Sequence, residues 1–225
     1  MPHSEQAGTA KTDSDSWDRF WSKTSPGAKP SWSKKRICKI LQRYAKPDIT
    51  ALDAGCGSGF FSAWFLSKDC IVTSLDYSQT ALEAARDVTG GRCANYINED
   101  LVSPKKAALP KNSFDLIFSD GLFEHFEKDR QDAIFANMKV MLKSGGVIVS
   151  FVPNLWTPWT LLRPFLMPGI HEKPFTLHAL EKLYARNGCE VIESGGVNVL
   201  PISLSPDSLF GARFGMLVYA VGKAV

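Results

Sequence analysis

The sequence predicts an α/β fold, a mostly parallel sheet with helices on both faces, and three observations predict it. An apolar run ends in Leu52-Asp53-Ala54-Gly55-Cys56-Gly57-Ser58-Gly59, where tightly spaced glycines join a strand to a helix. Short β-branched, apolar segments then alternate with segments of helical periodicity as far as Asn154. A chain of 225 residues, 44% hydrophobic and 22% charged, is long and apolar enough to bury one full core.

Residues 1–15 are polar beyond Met1 and are expected to be disordered, leaving a single domain over 16–225 without internal repeats. In Trp17-Asp18-Arg19-Phe20-Trp21 the aromatics fall at i, i+3 and i+4, on one face of a helix that either packs on the core or covers a site. A second helix is expected from about Ser33 to Tyr44, with Lys34-Lys35-Arg36 decorating its start and Pro47 stopping the chain before the first strand. The glycine turn opens a helix at about Phe60–Ser67 whose free amides and positive dipole end point toward an anionic group. Ile71-Val72-Thr73-Ser74-Leu75 is the second strand and ends at Asp76, 23 positions after Asp53. A carboxylate there can accept both hydroxyls of a ribose, as in dinucleotide folds.

A third strand, Cys93–Asn98, ends in Glu99-Asp100-Leu101, and a fourth, Ser113–Asp120, is followed by Leu122-Phe123-Glu124-His125-Phe126. The helix from about Lys128 to Leu142 buries Ile134, Phe135, Met138, Met141 and Leu142, and a Lys143-Ser144-Gly145-Gly146 turn leads into a fifth strand over 145–154. From Pro153 to Gly169 four prolines are mixed with Trp156, Trp159, Phe165 and Met167, too apolar for a solvated loop and too proline-rich for a strand or long helix. Thr176 caps an amphipathic helix ending at Gly188, and Cys189–Glu193 and Met216–Val221 read as the last two strands.

Two registers compete for the glycines. A dinucleotide G-x-G-x-x-G counted from Gly55 puts Phe60 where close packing demands a small residue, and counted from Gly57 it leaves Asp53 and Gly55 unused. D-x-G-x-G-x-G uses Asp53, Gly55, Gly57 and Gly59, and it resembles the first motif of class I S-adenosylmethionine-dependent methyltransferases of the small-molecule, type 11-like group. The resemblance covers roughly residues 35–223. It implies a Rossmann-like, seven-stranded sheet with an antiparallel last strand, and S-adenosyl-L-methionine as cofactor. It assigns cofactor contacts to Asp53, Gly55, Cys56, Gly57, Gly59, Asp76, Tyr77, Asp100, Leu101, Ser119 and Asp120, with Asp100 accepting from the adenine amino group and the Leu101 amide meeting the ring. It also makes 16–46 a helical lid and 151–175 and 198–213 insertions on the substrate side.

Methyl transfer asks mainly for alignment and exclusion of water, so chemistry dictates few residues. His125, after the strand end bordering the methyl group, is the candidate general base, against a structural role common for Glu-His at this place in the family. Trp17, Trp21, Asn154, Trp156, Trp159 and His171 are the candidate acceptor contacts, and they favour a small organic acceptor with an apolar surface. A peripheral membrane contact or a homodimer patch would also account for an apolar insertion here. Protein or RNA methylation, and a cofactor-binding regulatory protein without transfer, are the competing functions; Ser119-Asp120-Gly121-Leu122 stands where D-P-P-Y or N-P-P-Y would mark amine methylation. A net charge of +3 with scattered cations gives no reason to expect nucleic acid. The five cysteines form no C-x-x-C pair, so neither a zinc site nor a disulfide framework is expected. With no signal-peptide core and no membrane-length apolar run, the expected location is the reducing cytoplasm.

Overall fold

The computed structural model describes residues 31–105, 109–158, 172–202 and 204–224. The expected N-terminal tail, the 17–21 aromatic face, Trp159 and His171 lie outside them. The chain runs α1 (Trp32–Leu41), β1 (Thr50–Ala54), α2 (Phe60–Leu66), β2 (Ile71–Asp76), α3 (Gln79–Thr89), β3 (Asn95–Asn98), β4 (Phe114–Asp120), a 3₁₀ turn (Phe123–His125), α4 (Lys128–Met141), β5 (Leu142–Pro153), α5 (Leu177–Arg186), β6 (Cys189–Val197), α6 (Asp207–Phe214) and β7 (Leu217–Ala224).

Seven strands form one sheet in the order β3-β2-β1-β4-β5-β7-β6. The first five are parallel to their neighbours, and β7 lies antiparallel between β5 and β6. Strands β1, β2 and β4 are covered on both faces, which is why their sequences are apolar runs rather than alternating patterns. One core layer joins Ile134, Phe135 and Met138 of α4 to Leu180, Leu183 and Tyr184 of α5. The other joins Ile37 and Leu41 of α1 to Phe61 and Phe65 of α2. Strand order reverses between β1 and β4, and an open α/β sheet has its ligand crevice at the carboxyl ends of strands flanking such a point.

The structure departs from the sequence reading in three places. Helix α1 is capped by the Ser31 hydroxyl, which accepts from the Lys34 amide at 3.2 Å, and it ends three residues before Tyr44. There the amides of Arg43 and Tyr44 turn to the carbonyls three residues back, tightening the last turn. Strand β5 begins at Leu142 rather than Gly145: Phe114 pairs with Leu142 and Leu116 with Val147, so the expected turn is a bulge inside the strand. Lys143 Nζ, 2.8 Å from Asp115 Oδ2, ties that bulge to β4.

The third strand shortens to Asn95–Asn98. The segment 198–213 lies between β6 and β7. Much of it is helix α6, packed on β6 so closely that a Cβ on Gly211 would stand 2.0 Å from the Gly196 carbonyl oxygen. Arg36 of α1 holds the approach to α6, donating to the Asn198 side chain and the carbonyls of Leu200 and Ile202 and pairing with Asp207 at 3.1 Å.

Candidate functional site

The carboxyl ends of β1, β2 and β4 and the loop after β3 enclose a cleft of about 920 Å³ counted out to its open mouth. Its floor is the turn after β1. Gly55, Gly57 and Gly59 all have positive φ, so the chain crosses three left-handed positions in five residues, a path that side chains would strain. Gly55 and Gly57 line the cleft with Cys56 and Ser58. Gly59 does not. It begins α2 at φ 75°, and a Cβ there would lie 2.5 Å from Ala85 Cα of α3, so this third glycine lets two helices approach.

Asp76, at the end of β2, stands across the cleft floor from β1. Its Oδ2 accepts from the Gly57 amide at 3.0 Å and its Oδ1 from the Ser78 amide at 2.9 Å, so the carboxylate is fixed in place by the glycine turn. An ionised carboxylate has about four acceptor sites and can take hydroxyl donors as well as backbone amides. Tyr77, Asp100 and Leu101 also line the cleft. The Asp100 carboxylate accepts from the Val102 amide at 2.8 Å and the Ser103 hydroxyl at 3.2 Å, stapling the turn after β3. Glu99, buried beside it, lines the cleft as well.

At the β1–β4 end, Asp53 accepts from the Ser62 hydroxyl at 2.6 Å. Burial pushes the carboxyls of Asp53 and Asp120 up to about 7, moderated at Asp53 by the Ser62 bond and at Asp120 by Lys34. Ser119 points elsewhere, donating to the Ser150 hydroxyl of β5 at 3.1 Å in the buried sheet. His125 lines the cleft from the 3₁₀ turn, its side chain 6% exposed and its Nε2 4.0 Å from Glu124 Oε1. Among the described residues Glu124, His125 and Glu172 are the one set of metal-ligating side chains whose ligand atoms come within 4.8 Å of one another. Sequence spacing held no sign of it, because Glu172 arrives from the far side of β5.

Two expected acceptor contacts stand away from the cleft lining. Asn154 is fully buried: its Nδ2 donates to the carbonyls of Arg213 and Gly215, and its Oδ1 accepts from the Trp156 amide. The amide thereby knots the end of β5 to the approach of β7, an Asx-type use of the side chain on backbone. Trp156 follows on the surface, 63% exposed.

Lys34 is the residue sequence reasoning missed. In the run Lys34-Lys35-Arg36 successive side chains leave the helix about 100° apart. Lys34 therefore enters the cleft wall, Lys35 lies over the exposed Trp32 ring, and Arg36 pairs with Asp207.

Comparison with known proteins bears on this geometry. The methyltransferase domain family matches residues 52–150. A probable thiol methyltransferase of Arabidopsis thaliana is 26% identical over 64% of this chain and 63% of its own length. A ubiquinone biosynthesis O-methyltransferase of Bartonella quintana is 23% identical over 77% of this chain and 75% of its own length. The chain thus spans under two thirds of the first of these relatives. Among solved structures, the N-methyltransferase NodS of Bradyrhizobium japonicum, determined with S-adenosyl-L-homocysteine, superposes with a TM-score of 0.67 at 17% identity, covering 96% of this chain and 99% of that one. The methyltransferase-domain match covers the glycine turn, Asp76 and β4, and the seven-stranded sheet with β7 inserted antiparallel is the fold of the solved S-adenosylmethionine-dependent methyltransferases that the chain resembles.

Proposed function

We propose that this chain transfers a methyl group from S-adenosylmethionine to a small, partly apolar organic acceptor by in-line displacement. The observation that carries the reading is the Asp76 carboxylate, set by the amides of Gly57 and Ser78 at the edge of a glycine-floored cleft. The residues present fit such a cofactor. Asp76 offers acceptor sites for ribose hydroxyls, Asp100 and Leu101 flank the space beyond β3, and Asp53 and Asp120 meet a cation at the β1–β4 end. When bound, the cofactor supplies an electrophilic methyl on a sulfonium. The chain's own contribution is to hold that end of the cleft in a fixed geometry and keep water from it, with Phe60, Leu122 and Phe126 as apolar wall.

His125 is placed on the same wall, where its imidazole would take the proton of a hydroxyl or thiol acceptor. Names among the relatives support a small acceptor: a thiol methyltransferase, a ubiquinone biosynthesis O-methyltransferase and a malonyl-[acyl-carrier protein] O-methyltransferase. Calorimetric titration of the full chain with S-adenosylhomocysteine and NAD tests the cofactor, and labelled methyl transfer to a panel of thiols, phenols and carboxylic acids tests the acceptor. One homocysteine-nucleoside site per chain and no NAD site are expected. Binding of NAD without S-adenosylhomocysteine overturns the reading.

A further inference from the structure

The cleft carries its charge unevenly. Toward β2 and β3 it is lined by Asp76, Glu99 and Asp100, all acids. Toward β1 and β4, Asp53 and Asp120 lie within electrostatic reach of Lys34, the one Lys or Arg among the described residues lining the cleft. Its stem is half-buried, and its ammonium sits 4.4 Å above the Phe60 ring. Among the described residues that ammonium makes no hydrogen bond or ion pair. Burial lowers its basicity while Asp120 works to restore its charge.

The helix that presents Lys34 is clamped. Arg36 ties α1 to Asp207 and the segment before α6. At its far end Tyr44 donates to Glu193 Oε2 at 2.6 Å and Arg43 pairs with the same carboxylate. A partly desolvated cation on a fixed helix, in a cleft that also holds five carboxyl side chains, is suited to an anionic ligand group that those acids would repel. An amino-acid tail needs an anion for its ammonium and a cation for its carboxylate within a few ångströms, and among the described residues only the β1–β4 end offers both.

We propose that Lys34 binds the carboxylate of the cofactor's amino-acid tail, making it a binding residue outside the glycine, Asp76 and Asp100 segments. This rests on the cofactor reading above. It gives α1 a function beyond packing: it brings to the mouth of the cleft the one charge that the strand ends lack.

The test compares two ligands on two proteins. Full-length wild type and Lys34→Met, whose apolar stem still covers Phe60, are titrated calorimetrically with S-adenosylhomocysteine and with its decarboxylated analogue, which keeps the ammonium and lacks the carboxylate. Lys34→Met should lose about tenfold to a hundredfold in affinity for S-adenosylhomocysteine and change by less than about threefold for the analogue. Lys34→Arg should recover most of the loss, and equal melting temperatures show that the variants fold. Unchanged affinity of Lys34→Met for S-adenosylhomocysteine, or an equal loss for both ligands, overturns the inference while leaving the cofactor reading intact. A wild type that binds neither ligand overturns both.

Discussion

His125 and Asn154 are two polar residues at strand ends whose surroundings send them to different tasks. Asn154 has its amide nitrogen on two carbonyls and its oxygen on the Trp156 amide, leaving little with which to meet a ligand. His125 lies in the cleft wall with a buried Glu124 carboxylate 4.0 Å from its Nε2, where an imidazolium formed by taking a proton would be stabilised. If it takes the acceptor's proton, His125→Ala should lower kcat by about a hundredfold or more near neutral pH, with recovery as pH rises toward the acceptor's own pKa. A pH–rate profile of the two proteins measures this. Wild-type turnover in the variant would make His125 a packing residue.

At the scale of elements, the bulge in β5 and the helix α6 show how contacts rearrange what local patterns suggest. Gly145-Gly146 signals a turn, yet Leu142 resumes pairing with Phe114 before it, because Lys143 and Asp115 hold the two strands together there. Helix α6 carries Gly211 in its interior and exposes Leu209, Phe210 and Phe214, so its sequence lacks a clear apolar face. Its docking depends on backbone contact with β6 at Gly196 and Gly211. Gly211→Ala would gain helix propensity of about 1 kcal/mol. It would also place a Cβ 2.0 Å from a backbone oxygen, which cannot swing aside as a side chain can. The net expectation is destabilisation by about 1–3 kcal/mol, read from urea midpoints. A more stable variant would show that α6 is not seated on β6 in this way.

Over the whole molecule, the cleft stores two carboxyls against their preference for charge. Asp53 and Asp120 are raised to about 7 from 3.8, chiefly by burial. Such groups hold more protons folded than unfolded, so their stabilising contribution is complete below about pH 4 and is lost as pH rises through 7. Asp115 and Asp132, lowered despite their partial burial by Lys143 with Thr50 and by Asn187 with Arg186, shift below the ordinary carboxylate range and do not enter this window. The ligand-free chain should therefore be less stable at pH 8.5 than at pH 5.5 by about 1–2 kcal/mol from this pair, a modest figure because solvent reaches Asp120. Asp53→Asn should flatten the slope. Denaturant unfolding across that range measures it, and a variant with the wild-type slope removes Asp53 from the account.

By itself the sequence determined the strand–helix alternation, the glycine turn, the acids at the ends of β2 and β3 and the helix cap at Thr176. Each of these depends on residues close in the chain, whose backbone preferences and periodicity act before any tertiary contact forms. The positions of Asp53, Gly55, Gly57, Asp76, Asp100, Asp120 and His125 around one cleft follow from that, since strand ends of a parallel sheet meet on one side. Only the tertiary structure decided that Gly59 serves helix packing, that Ser119 turns into the sheet and that Asn154 binds backbone. It alone brought Lys34 into the cleft and Glu172 beside His125. Those outcomes hang on which face of a helix or turn meets a partner tens of residues away, and a local pattern carries no record of that partner.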